Sequence, residues 1–153
     1  MGSQRWIEIN SNSAEAWAAR GLLTAYTGDI DTALNHLERS RRLSPRVSFF
    51  QYIGFTLAHF VAGRYAEAVN CTAEGLGRYP TYVPLLRYRV AALGLLGRAE
   101  EARQAVARLL ALVPNLTITR VRHHVEIEMK NPYKKPGVVE AYYEGLRRAG
   151  LPE

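Results

Sequence analysis

Gly63-Arg64-Tyr65-Ala66-Glu67-Ala68 stands near the middle of the chain, and its frame, a glycine followed five residues later by an alanine, recurs on both sides. Gly28 is followed by Ala33, and Gly97 by Ala102. Twelve residues after each alanine comes a proline: Pro45, Pro80 and Pro114. The steps from glycine to glycine are 35 and 34 residues. Three residue types in three copies at fixed offsets mark an internal repeat, and a period of this length belongs to stacked arrays of short supersecondary units.

Each anchor has a physical reason. The glycines separate two helical patterns, where the chain must turn and a positive φ is useful. The alanines fall where two antiparallel helices would cross, and a small side chain permits close approach. The prolines follow the second helix and cannot continue it. Between anchors the apolar spacing is helical: Trp17, Gly21, Thr24 and Ala25 in one segment, Leu34, Leu37, Arg41 and Leu43 in the next. Asp29 is placed to cap the second helix.

This pattern resembles the tetratricopeptide repeat (TPR) family. Ala16-Trp17 matches the family's aromatic in the first helix, Gly21 its small residue one turn on, and Gly28, Ala33 and Pro45 its later positions. The second copy departs: Thr56 stands at the small position and Gly54 two residues earlier. The third has Leu86 and Val90 there but keeps Gly97, Ala102 and Pro114. The resemblance implies an all-α, right-handed helix-turn-helix solenoid. Its divisions are repeats at 13–46, 47–81 and 82–115, then C-terminal capping helices at 116–153, all in one domain.

A narrower resemblance lies in Leu57–Ala68 and in the ending Gly145-Leu146-Arg147-Arg148-Ala149-Gly150-Leu151-Pro152-Glu153. Both are similar to the C-terminal TPR regions of bacterial class III adenylate/guanylate cyclase-like signalling proteins. Such regions also occur behind winged-helix transcriptional regulators. The resemblance implies the C-terminal interaction or sensory part of a larger protein. Residues 1–12 fit that expectation: Met1-Gly2-Ser3 reads as a vector scar, and Trp6, Ile7 and Ile9 as the tail of a preceding repeat helix.

Past Pro114, Ile118, Val121, Val125 and Met129 form a helical stripe. The β-branched run Leu116–Thr119 has strand character, but the repeat context favours helix. Asn131-Pro132-Tyr133 should break that helix. Pro136 then suits the first turn of a last helix, with Val138, Val139, Tyr142, Leu146 and Ala149 as its apolar face and Gly150 as its stop.

Composition bounds the function. The 153 residues carry 20 Lys+Arg against 14 Asp+Glu, are 48% hydrophobic, and hold a single Cys. That suits one folded domain rather than a disordered chain or a disulfide scaffold. No secretory signal and no apolar run of about 18 residues is visible, so a cytoplasmic location without membrane partners is expected. Basic residues are spread along the chain, which disfavours nucleic acid as a partner.

Chemistry is sparse. The only aspartates, Asp29 and Asp31, lie two apart at one helix start and do not face each other. The two-aspartate metal site of a cyclase catalytic domain is therefore not expected. His123 and His124 are adjacent, with no His-Glu-x-x-His spacing near Glu126 and Glu128. His36 and His59 have no evident partners. Cys71 falls inside a helix and reads as an inert thiol. No P-loop and no Gly-x-Ser-x-Gly elbow occurs. The basic runs Arg39, Arg41, Arg42, Arg46 and Arg120, Arg122, Lys130, Lys134, Lys135 read first as helix-end and solvated charge. No catalytic residue, metal or cofactor is assigned, and a non-catalytic interaction module is expected.

Aromatics crowd one helix: Phe49, Phe50, Tyr52, Phe55 and Phe60. The family resemblance implies ligand binding on a concave face lined by first helices. In this register the lining is Glu15, Ala18, Leu22, Ala25 and Tyr26, then Phe50, Ile53, Leu57, Phe60 and Val61, then Pro84, Arg87, Ala91, Gly94 and Leu95. The Lys/Asn/Arg set of carboxylate-clamp TPRs is missing. An apolar groove of this kind suits an amphipathic helix or an extended apolar segment of a protein partner. Homodimerisation through the N-terminal end or the groove is a further expectation.

Overall fold

A computed structural model describes residues 13–45 and 48–153. Among them the fold is all-helical, with eight α-helices and no strand. These are α1 (Ala14–Thr27), α2 (Ile30–Leu43), α3 (Phe49–Val61), α4 (Tyr65–Arg78), α5 (Val83–Leu96), α6 (Ala99–Leu112), α7 (Ile118–His123) and α8 (Val138–Ala149). Helix α7 continues into a π-helical turn, His124–Glu128. Consecutive helices pack on each other from α1 to α6, and α1 also packs on α3, and α3 on α5. Helix α8 lies mainly on α5 and touches α6 and α7.

Local chemistry sets the boundaries. Gly28, Gly63 and Gly97 adopt φ of 91°, 78° and 72°, the left-handed turn that reverses the chain between paired helices. Asp29 caps α2 by accepting from the Thr32 N–H, and Ser13, Ser48 and Thr117 cap α1, α3 and α7 in the same way. Pro45, Pro80 and Pro114 each stand two residues past the end of α2, α4 and α6. Ala33, Ala68 and Ala102 are all buried.

Small residues decide how close the helices come. A Cβ on Gly21 would meet Leu37 Cγ at 2.5 Å, and one on Gly54 would meet Leu37 Cδ2 at 2.5 Å. Leu37 of α2 is therefore wedged between α1 and α3, and Gly54 rather than Thr56 is the small partner in repeat 2. Thr56 is buried and donates its hydroxyl to the Tyr52 carbonyl at 2.9 Å. One residue of that two-residue offset has a local cause: Gly28 and Gly97 are themselves the helix C-caps, whereas Ala62 intervenes between α3 and Gly63. The same junction is tied by polar groups: the Ser40 hydroxyl donates to the Ala14 carbonyl (2.6 Å), and Gln51 Nε2 donates to Ser40 Oγ (3.2 Å) and the Ser44 carbonyl (3.0 Å).

The C-terminal third differs from the sequence expectation in two places. Met129 leaves the apolar stripe and is exposed, because the π-turn (Met129 N–H to the His124 carbonyl) ends the helix before it. Lys130 and Asn131 then take positive φ of 56° and 44°. Pro136 lies outside the last helix: Gly137, at φ 87°, is the N-cap, and α8 starts at Val138. Gly150 stops α8 with φ 104°, and Leu151 N–H closes the turn onto the Leu146 carbonyl at 3.1 Å. The chain then reaches back to α7, where the Ile118 N–H donates to the Pro152 carbonyl (2.8 Å) and the Thr119 N–H to Glu153 O (3.0 Å). Two donors of the α7 first turn are satisfied this way. The tail described as a preceding helix, with Trp6, Ile7 and Ile9, lies outside the described residues, as does Arg46.

Candidate functional site

The inner helices α1, α3 and α5 carry the residues expected to line a groove, and many of them are core: Ala18, Ala25, Ala91 and Gly94 are buried, as are the larger side chains of α3. Ile53, Leu57, Phe60 and Val61 are no more than 3% exposed. The cover is the chain's own C-terminal segment. The Lys134 N–H donates to the Tyr26 carbonyl at 2.9 Å, and Lys135 Nζ to the Val61 carbonyl at 3.3 Å. Tyr133 sets its edge on the Tyr26 ring, 5.2 Å between centroids. Tyr142 of α8 meets Phe60 edge-on at 5.9 Å and stacks on Tyr88 at 5.1 Å. Leu95 packs beside Gly145 of α8. Phe50 sits apart, against Phe49, whose ring also meets Tyr82.

A cavity of about 170 Å³ lies beneath this cover. Tyr26, Ile53 and Arg87 line it, together with Leu22, Tyr82, Tyr88, His124, Val125, Tyr133 and Tyr142. So the structure unites five of the expected groove residues, Leu22, Tyr26, Ile53, Pro84 and Arg87, and adds four tyrosines that groove register did not select. The Tyr88 and Tyr133 hydroxyls are hydrogen-bonded to each other. Burial pushes both phenols well above their ordinary value near 10, and raises Tyr26, Tyr82 and Tyr142 as well. Burial works against the Arg87 charge, but the Tyr142 and Tyr88 phenols more than offset it. The Arg87 Nε is buried with no hydrogen-bond partner.

A second and wider cavity, about 390 Å³, opens between α2 and α4 over α3. Leu34, Tyr52 and Phe55 supply apolar wall, and Glu38, Arg41 and Glu74 the charge. Arg41 holds its guanidinium 4.5 Å above the Phe55 ring and pairs with Glu38. His59 reaches the cavity with a buried Nδ1 that lacks a partner, and burial, then Arg64, lowers its pKa. Cys71 lies there too, its thiol pushed up to about 11 by burial and then by Glu74.

The remaining candidates are dispersed. His36 packs on Trp17 at 5.2 Å, and His124 Nδ1 shares a hydrogen bond of 2.8 Å with Glu128. Among the described residues no group of three His, Cys, Asp or Glu is placed to hold a metal ion. No helix among them is long and apolar enough to cross a membrane. Arg122 lies over Tyr143 at 4.9 Å and pairs with Glu126 at 3.8 Å. Other ion pairs are short-range helix-surface pairs, such as Arg98–Glu101 and Arg148–Glu144, and Arg147 ties α8 to Glu153 at 2.6 Å. No family model matches the chain, and no curated protein matches it.

Proposed function

We propose that the chain is a non-catalytic, TPR-type interaction module, the C-terminal part of a larger bacterial signalling protein of the adenylate cyclase-like type. The threefold glycine–alanine–proline frame supports the repeat reading. The left-handed turns and the packing of each helix on its neighbours agree with it. The partner is an amphipathic helical segment of another protein. The observation that carries this is the open groove between α2 and α4, apolar at Leu34, Tyr52 and Phe55 and flanked by Arg41, Glu38 and Glu74. Such a groove takes the apolar face of a helix, and the flanking charges select its rim residues.

Peptide display against the purified chain tests this reading. Enriched sequences should carry apolar residues at i, i+3, i+4 and i+7. Their affinity should fall about tenfold in Arg41→Glu, whose side chain is exposed and whose loss leaves the core intact. Failure to enrich any helical sequence, or affinities indifferent to Arg41→Glu, removes this groove as the docking site. A second reading, the sensory domain of a winged-helix regulator, is favoured by the cavity at Arg87, because its volume of about 170 Å³, less than half that of the α2–α4 groove, suits a small ligand rather than a protein segment.

A further inference from the structure

The cavity under the C-terminal segment has an unbalanced charge. Arg87 projects into it from α5, and among the described residues no Asp or Glu lines it. The neighbouring acid of the π-turn, Glu128, is held by His124 instead. The Arg87 guanidinium lies near the Tyr142 phenol, and its buried Nε has no hydrogen-bond partner. Taking a guanidinium out of water is costly unless an anion and hydrogen bonds compensate it. Phenols are neutral at physiological pH, so the tyrosines supply hydrogen bonds and no counter-charge. An anion is what this site lacks.

Shape and lining narrow the class. A guanidinium presents a flat fork of N–H donors that matches a carboxylate in two parallel bonds. One cation suits a monoanion, and among the described residues the cavity offers no second Lys or Arg for a phosphate dianion. Leu22, Ile53, Val125 and Met129 form apolar wall, and the tyrosine rings add flat faces. The volume, about 170 Å³, is near the roughly 150 Å³ that accommodates a benzene ring in a buried site. We propose that this cavity is a binding site for a small monocarboxylate with a flat apolar body, its carboxylate paired with Arg87 and its body between the tyrosine rings and the aliphatic wall. The site needs the C-terminal segment, because Tyr133 and Tyr142 close it.

Benzoate is the probe, titrated calorimetrically into the full chain beside benzamide and acetate. Benzoate should bind about tenfold tighter than either, since a hydrogen-bonded charge pair is worth about 1.5–3 kcal/mol and acetate has no body to bury. Arg87→Met keeps the apolar stem, and should erase the preference for benzoate over benzamide. Should that variant not fold, the side-chain Nε–H resonance of Arg87 in the unmodified chain provides the second measurement, and it should move on adding benzoate and stay still on adding benzamide. Equal binding of benzoate and benzamide, no binding of benzoate, or a silent Arg87 resonance overturns the proposal. Displacement of benzoate by a peptide through its terminal carboxylate, at higher affinity, overturns it in favour of a peptide-end site.

Discussion

A single methyl group separates the roles of the glycines. On Gly94 it would run into the Gly145 carbonyl oxygen and come within 3.0 Å of the Ala149 N. Both are backbone atoms, so α5 and α8 would have to move apart. Gly94→Ala should cost about 3 kcal/mol or more, at the upper end of overpacking. Gly77 is exposed near the end of α4 with open space around it and no positive φ. Gly77→Ala should stabilise by about 0.5–1 kcal/mol, because alanine gives up less freedom in a helix. Urea unfolding of both variants checks the pair, and a Gly94→Ala chain as stable as the parent would refute the close crossing. Cys71 offers a second residue-level test. With its thiol raised to about 11, only a trace is thiolate at pH 8, and alkylation should run about 100-fold slower than for an unhindered cysteine. Alkylation by iodoacetamide at the rate of a free thiol would contradict that burial. At this scale the sequence was readable where backbone conformation demands one residue type: Gly28, Gly63 and Gly97 all turn at positive φ. It was not readable at Gly54, because turn-to-turn alignment cannot see the extra residue Ala62 between α3 and its glycine.

The segment between α7 and α8 closes the inner face with little regular structure. Its hold is the Tyr88–Tyr133 hydroxyl pair, the Lys134 and Lys135 bonds to the ends of α1 and α3, and the ring contacts of Tyr133. The phenols make this closure sensitive to alkali. Burial raises the folded pKa of Tyr88 and Tyr133 above the unfolded value near 10. The folded state therefore keeps the protons more tightly, and the stabilisation is complete below pH 10. Above that the unfolded chain loses protons first, and stability falls as the pH climbs toward the folded values. The urea midpoint should be level from pH 7 to about 9 and drop beyond about 10. In Tyr133→Phe the alkaline drop should be shallower, and stability at pH 7 lower by about 1 kcal/mol for one lost hydrogen bond. An alkaline limb of unchanged slope would show that the pair does not carry it. Helical periodicity made α1 and α2 legible, and the glycine–alanine–proline frame carried the reading on to α3 through α6, since α5 is buried nearly all round and shows no apolar stripe. It could not report that Tyr133 meets Tyr26, because no local pattern encodes a contact across more than a hundred residues. Pro136 misled for a related reason: proline tolerates a first helical turn, yet here Gly137 supplies the cap one residue later.

At the scale of the whole fold, the described residues pack α1, α3 and α5 under the C-terminal segment of the same chain, and this changes what a truncation should do. In a simple solenoid each unit leans only on its neighbours, so losing the terminal cap weakens one interface and leaves the rest folded. Helix α8 departs from that scheme. It packs along α5, and its Tyr142 reaches Phe60 of α3, while Lys134 and Lys135 in front of it bind α1 and α3. The residues that covered the expected groove are thus the same ones that exclude a partner from Ile53, Leu57 and Phe60. That cover argues against homodimerisation through the inner groove and leaves the N-terminal end as the place for the pairing expected from the sequence. Light scattering of the intact chain should give twice 17.2 kDa, and a mass that stays at 17.2 kDa across concentrations would exclude the dimer. Removing residues 130–153 tests the closure itself. Val138, Tyr142, Tyr143, Leu146 and Leu151 are each no more than 7% exposed. At about 1.5–3 kcal/mol for a fully buried large side chain, their loss rivals the total of about 5–15 kcal/mol that a domain possesses. The shortened chain should lose cooperative thermal unfolding and bind a hydrophobic dye through the uncovered α3 and α5. A shortened chain that melts cooperatively within a few degrees of the parent would mean that α8 caps one interface only, and that α1, α3 and α5 hold together without it.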